Sequence, residues 1–170
     1  MTSPRIIAAV VGTKGDHRFW DETQQQLAAE VGAQLALEDC VVLTGGKGGV
    51  MAEAIRGARE QGGTTIALLP DAEHRAANLY ADIVLPTGIG IARNVLTARM
   101  CHFMVALLGG NGTTEEMLFA LDFKRPVFAL PGAPVVEGAR RIAEGQTSID
   151  QILPALMHEV QQLLVKLRQF

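Results

Sequence analysis

Short apolar runs rich in β-branched residues recur along this chain, each followed by a stretch long enough to form a helix. They are IIAAVV from Ile6 to Val11, VVLTG from Val41, TTIALLP from Thr64, DIVLP from Asp82, FMVALLG from Phe103 and PVFALPG from Pro126. The runs are continuously apolar, which suits strands covered on both faces, and the gaps suit right-handed parallel crossovers. The pattern predicts an α/β fold: a Rossmann-like doubly wound parallel sheet flanked by helices, with one strand per run. A chain of 170 residues fits a single domain spanning 1–170.

The intervening segments carry helix punctuation. Asp21 is a cap for a helix with Leu27, Val31 and Leu35 on one face, and Gly62-Gly63 end the helix holding Met51, Ala54, Ile55 and Ala58. Further helices are expected from Ile91 to His102, from Thr114 to Phe123, from Val135 to Ala143 and from Ile152 to Leu167. For the last, Ser148 or Asp150 serves as cap and Pro154 is confined to the first turn.

Composition narrows the function classes. The apolar fraction is 48% and the charged fraction 19%, and every apolar run is shorter than a membrane span. A net charge of -3 provides no global attraction to nucleic acid or anionic membrane, so neither is expected as a partner, and any phosphate must be held by local geometry. Cys40 and Cys101 form no CxxC pair and sit among apolar residues, as expected of buried thiols in a reducing cytoplasm. The leading MTSPR has no signal-peptide pattern, which also points to the cytoplasm. His17, His74, His102 and His158 are scattered without metal-ligand spacing, and no GxSxG elbow surrounds a serine.

Two glycine-rich loops fall where a parallel sheet binds ligands, just beyond strand ends. In VLTGGKGGVMAEA, Gly45, Gly46, Gly48 and Gly49 precede a helix, and Lys47 adds a point charge. Such glycine density exceeds what a structural turn needs and points to backbone NH groups cradling a phosphate at a helix terminus. In ALLGGNGTTEEML, Gly109, Gly110, Asn111, Gly112, Thr113 and Thr114 lead into a helix with Glu116. The Thr113 to Glu116 spacing also reads as a capping box, which would give Glu116 a structural role. Neither loop has the GKS or GKT ending of a P-loop, and VVGTKGD lacks the GxGxxG spacing, so ATP hydrolysis and dehydrogenase chemistry recede. Arg93, after Gly88-Ile89-Gly90, has two readings: a guanidinium reaching a ligand in the cleft, or a solvated side chain.

Over roughly Ile6 to Pro131 these motifs resemble two related families. One comprises the molybdenum cofactor carrier proteins, the other the nucleoside monophosphate phosphoribohydrolases of the LONELY GUY type, often mislabelled lysine decarboxylases. TGGKGGVMAEAIRGAREQGG followed by TIALLP resembles their shared loop, helix and strand, and GGNGTTEEM their second signature. The carrier branch is the nearer, because AANLYADIVLPTGIGIARNVLTAR resembles its connection, with Asn78, Tyr80 and Asp82, and with Gly90, Arg93 and Asn94. The hydrolase pattern departs at Leu108, where it has proline, at Asn94, where it has lysine, and at Leu96, where it has glutamate.

The resemblance implies a molybdenum cofactor, the phosphorylated pterin molybdopterin, bound with its anionic end clasped by Gly46, Gly48, Gly110, Gly112 and Thr113. Storage and transfer would follow, with molybdoenzymes or cofactor biosynthesis proteins as exchange partners. Under the hydrolase alternative a nucleotide occupies the groove, Arg93 and Glu116 are catalytic, and the N-glycosidic bond is cleaved. A homo-oligomer, at least a dimer, is expected in either case, with Val95, Leu96, Met100 and Phe119 on a candidate surface.

Overall fold

The computed structural model describes residues 4–169. Seven parallel strands lie in the order β4-β3-β2-β1-β5-β6-β7. They are β1 (Ile7–Val11), β2 (Val41–Thr44), β3 (Thr65–Leu69), β4 (Ile83–Pro86), β5 (Phe103–Ala106), β6 (Val127–Ala129) and the two-residue β7 (Arg140–Arg141). The helices are α1 (Glu22–Leu37), α2 (Val50–Glu60), α3 (Arg93–Met100), α4 (Asn111–Asp122) and α5 (Ile149–Leu167). The α/β, Rossmann-like doubly wound sheet is the fold the apolar runs call for.

Two apolar layers sandwich the sheet. Ala8 and Val10 face a cluster with Leu27, Val31 and Leu35 of α1, Ala54 and Ala58 of α2, and Leu156 and Val160 of α5. Ala9 and Val11, pointing the other way, join Ala98 of α3 and Met117 and Ala120 of α4. Alternation along β1 thus feeds both layers, which is why its sequence reads as unbroken apolar. Strand order reverses between β1 and β5, so the crevice between the turns leaving them is the topological switch point.

Helix punctuation holds at two sites. Asp21 accepts from Gln24 N at 2.9 Å, capping α1, and Gly62 takes a φ of +71° just beyond α2. Three expectations need correction. The stretch from Val135 to Ala143 is not a helix but turns around β7, a strand added to the predicted sheet: Phe128 pairs with Arg140, and Gly138 takes a φ of +90°. The helix expected from Ile91 is split into a 3₁₀ turn over Gly90–Ala92 and then α3. Ser148 occupies the N-cap of α5 without a side-chain bond, and Pro154 lies in the second turn instead of the first.

Burial pushes the thiols of Cys40 and Cys101 up to about 11, so both are inert packing groups. Among the described residues, no helix is long and apolar enough to cross a membrane.

Candidate functional site

Three turns meet at the switch point, and Thr13, just after β1, joins them. Its N–H donates to Leu108 O at 2.7 Å, at the end of β5, and its carbonyl accepts from Val50 N at 2.9 Å, at the start of α2. Its hydroxyl accepts from Gly15 N and donates to Asp16. Sequence reasoning sets this β1 turn aside because it lacks the dinucleotide spacing; the strand-order reversal is the signal that makes it central.

The first glycine loop serves the protein's own packing at each of its four glycines. A Cβ on Gly45 would lie 2.7 Å from Arg93 Nη2, and one on Gly46 would lie 2.7 Å from the Ala67 and Leu69 side chains. Gly48 would meet Lys14 O at 2.8 Å and Gly49, at φ +61°, would meet Thr13 O at 2.2 Å. Lys47 does not stand free over the loop: its ammonium binds Asp71 Oδ2 at 2.8 Å and Ala76 O at 3.3 Å, and the hydrogen bond to Asp71 holds that carboxyl below its usual range. Asn78 clamps the same loop, donating through its backbone to Gly46 O and through its side chain to Lys47 O. Tyr80 N bonds the Asn78 side chain, and Asp82 accepts from Thr65 and pairs with Arg59. The Asn78, Tyr80 and Asp82 run is therefore a strap that fixes the loop and the edge strand β4.

The second loop differs. Gly109 is closed off by Thr113, whose Oγ1 would be 2.2 Å from its Cβ. Gly110, in contrast, has nothing within 4 Å, and Gly112 has only Asn94 Nδ2 at 3.9 Å. Helix α4 begins at Asn111, with Gly110 at the N-cap and no side-chain cap, so the capping box expected of Thr113 and Glu116 is not formed. The helix starts too early for Thr113 to stand at its N-cap. Thr113 is buried against Gly109, and Thr114 Oγ1 bonds back to Gly110 O. The first-turn N–H groups of α4 are left to point at the open space above Gly110 and Gly112.

Glu116 faces α3. Its Oε1 accepts from Arg93 Nη1 at 2.7 Å, and the same guanidinium nitrogen lies 3.1 Å from Thr97 Oγ1. Arg93 is 8% exposed and Glu116 6%, which overturns the solvated reading of Arg93. Burial pushes the Glu116 carboxyl up to about 7 against the opposing pull of Arg93. Arg93 Nε is buried without a partner among the described residues. Beside this pair, Asn94 Nδ2 donates to Glu115 Oε2 at 3.1 Å, a contact not foreseen from the sequence.

The arrangement sets an open, uncapped helix start beside a closely packed wall. The open donors belong to α4, the β1 turn and first glycine loop form the packed wall beside them, and the Arg93–Glu116 pair ties that wall to α4. Among the described residues, no group of three or more histidines, cysteines or carboxylates could hold a metal ion directly.

Comparison with known proteins identifies a family and solved structures of the same fold. A family model described as the SLOG cluster4 family matches residues 5–163. An uncharacterized protein of Archaeoglobus fulgidus is 36% identical over 120 residues, covering 71% of this chain and 79% of its own. The structure of the molybdenum cofactor carrier protein of Chlamydomonas reinhardtii superposes with a TM-score of 0.79 at 34% identity, covering 95% of this chain and 99% of that one. The molybdenum cofactor binding protein of Rippkaea orientalis gives a TM-score of 0.77 at 25% identity, covering 94% and 99%.

Proposed function

Because the chain belongs to the SLOG cluster4 family, we propose that it binds, protects and hands on a phosphorylated pterin, the molybdenum cofactor, as a carrier. The observation that carries this reading is the open turn of Gly110 and Gly112 at the uncapped start of α4. A phosphate there would be held by backbone N–H groups and the helix dipole, which an acidic chain needs in place of bulk charge. The solved neighbours in Chlamydomonas reinhardtii and Rippkaea orientalis support the cargo, being named for carrying and binding that cofactor. In this reading Gly110, Asn111, Gly112, Thr113 and Thr114 hold the anionic end, and Gly45, Gly46, Lys47, Gly48 and Gly49 shape the wall beside it.

Glu116 supports a carrier over a phosphoribohydrolase. A hydrolytic carboxylate must reach the reacting ribose, whereas this one is buried with one oxygen engaged by Arg93. The test is mass spectrometry and metal analysis of the protein purified from a host that makes the cofactor. A co-purifying pterin phosphate with molybdenum is the expected result; purification with neither, from a host whose molybdoenzymes are active, would sink the proposal.

A further inference from the structure

A phosphate accounts for one end of the ligand; the contact between Asn94 and Glu115 bears on the other, through an inference that rests on the phosphorylated-ligand reading. Asn94 is 4% exposed, and its amide nitrogen sits 3.9 Å from the Cβ position of Gly112 while donating to Glu115 Oε2 at 3.1 Å. A carboxylate only accepts, so the amide NH2 must face Glu115, which turns Asn94 Oδ1 away from it. That carbonyl oxygen has no hydrogen-bond partner among the described residues, and neither has Glu115 Oε1. Gly112 and Glu115 are three residues apart on one face of α4, about 4.5 Å along its axis at 1.5 Å per residue.

Beside the N–H donors of the open turn there are thus two acceptor oxygens, one charged, held in fixed relation by the hydrogen bond between their side chains. An edge carrying two adjacent N–H donors satisfies them, and an edge of carbonyls would leave a carboxylate facing lone pairs. We propose that Asn94 and Glu115 read the amino-oxo-pyrimidine edge common to pterin and guanine, whose exocyclic amine and ring N–H both donate. Asn94 holds the carboxylate in place and Glu115 takes the amine. Selection of the heterocycle is then built into α4 itself, about one turn from the phosphate donors.

Guanosine and inosine 5'-monophosphates test this directly, because they share a phosphate and ring N–H and differ in the exocyclic amine. Their affinities and that of inorganic phosphate are measured by calorimetry for the wild type, Glu115→Gln and Asn94→Ser. The wild type binds the guanosine compound about tenfold more tightly than the inosine one, as expected for one charge-assisted hydrogen bond. In Glu115→Gln the two converge to within about twofold while inorganic phosphate binds unchanged, which also reports an intact fold; Asn94→Ser narrows the preference in part. Equal affinities in the wild type alongside normal phosphate binding would overturn the edge reading and leave the phosphate site standing. Retention of the preference by Glu115→Gln would overturn it as well, and failure of all three compounds to bind would remove both proposals.

Discussion

Arg93 Nη1 and Glu116 Oε1 meet at 2.7 Å between two helices from successive crossovers, and a Cβ on Gly45 would lie 2.7 Å from the same guanidinium. One buried ion pair therefore connects the end of β2 to the face of α4. Removing one partner of such a pair costs about 3–5 kcal/mol, because the other is left buried and uncompensated. Arg93→Ala is expected to lose stability of that order at pH 8, measured by urea unfolding. The loss is smaller at pH 6, where Glu116 takes up a proton in place of its lost partner.

The same carboxyl sets a pH dependence. Its folded value of about 7 lies above the 4.5 of the unfolded chain. Below 4.5 both states are protonated and the fold's preference for the neutral acid is fully present. As pH rises toward 7 the unfolded chain releases its proton first, so this contribution declines, and it is lost above 7. The urea midpoint of the wild type should contain this downward component between pH 5 and 7.5. Glu116→Gln, neutral throughout, should lack it, and identical pH profiles for the two proteins would contradict the burial of Glu116.

The two glycine loops should respond oppositely to substitution. Gly49→Ala places a methyl 2.2 Å from Thr13 O at a φ of +61° and is expected to be strongly destabilising, well over about 2 kcal/mol by strain and overlap together. Gly110→Val enters open space at a negative φ of -120°, so the fold and its circular dichroism spectrum should be unchanged. The thermal shift produced by inorganic phosphate or phosphorylated ligands should disappear in Gly110→Val. A phosphate shift that survives there would place the anion elsewhere.

This contrast also marks how far the sequence can be read. The parallel sheet is legible because Ile6 to Val11 and its counterparts are apolar on both faces, and the Asp21 cap because its geometry is local. β7 is not legible: Arg140 and Arg141 form a two-residue edge strand whose existence depends on Phe128 and Ala129 beside it. Glycine density at Gly45 to Gly49 points to a phosphate, but density cannot distinguish a chain approached by a ligand from one approached by Thr13, Lys14 and Arg93. Likewise the spacing of Thr113 and Glu116 fits a capping box, yet the helix begins at Asn111 and Glu116 is drawn to Arg93, a partner 23 residues away.

Large apolar side chains are exposed on α3 and at the edge of the sheet. Leu96 and Met100 of α3, Ile91 before it and Leu85 of the edge strand β4 are all exposed, while Val95 and Phe119 are half-buried. A face of this kind suits a second copy of the chain. Light scattering is expected to show at least a dimer at micromolar concentration, and Leu96→Glu combined with Met100→Glu should shift it to monomer without loss of helicity. A wild type that is monomeric at that concentration would refute the assignment.

The final test separates carrier from hydrolase at Glu116. A phosphoribohydrolase would release free base from AMP, and Glu116→Gln would lower that turnover by about a hundredfold or more while phosphate binding survived. In this structure the carboxylate is engaged by Arg93, and Leu108, Asn94 and Leu96 stand where the hydrolase pattern has proline, lysine and glutamate. Wild-type protein is therefore expected to release no measurable base from AMP or related monophosphates, assayed by chromatography over hours. Glu116→Gln should change only stability and its pH profile. Rapid base release abolished by both Arg93→Ala and Glu116→Gln, in variants shown to be folded, would assign the pair to catalysis and replace the carrier reading.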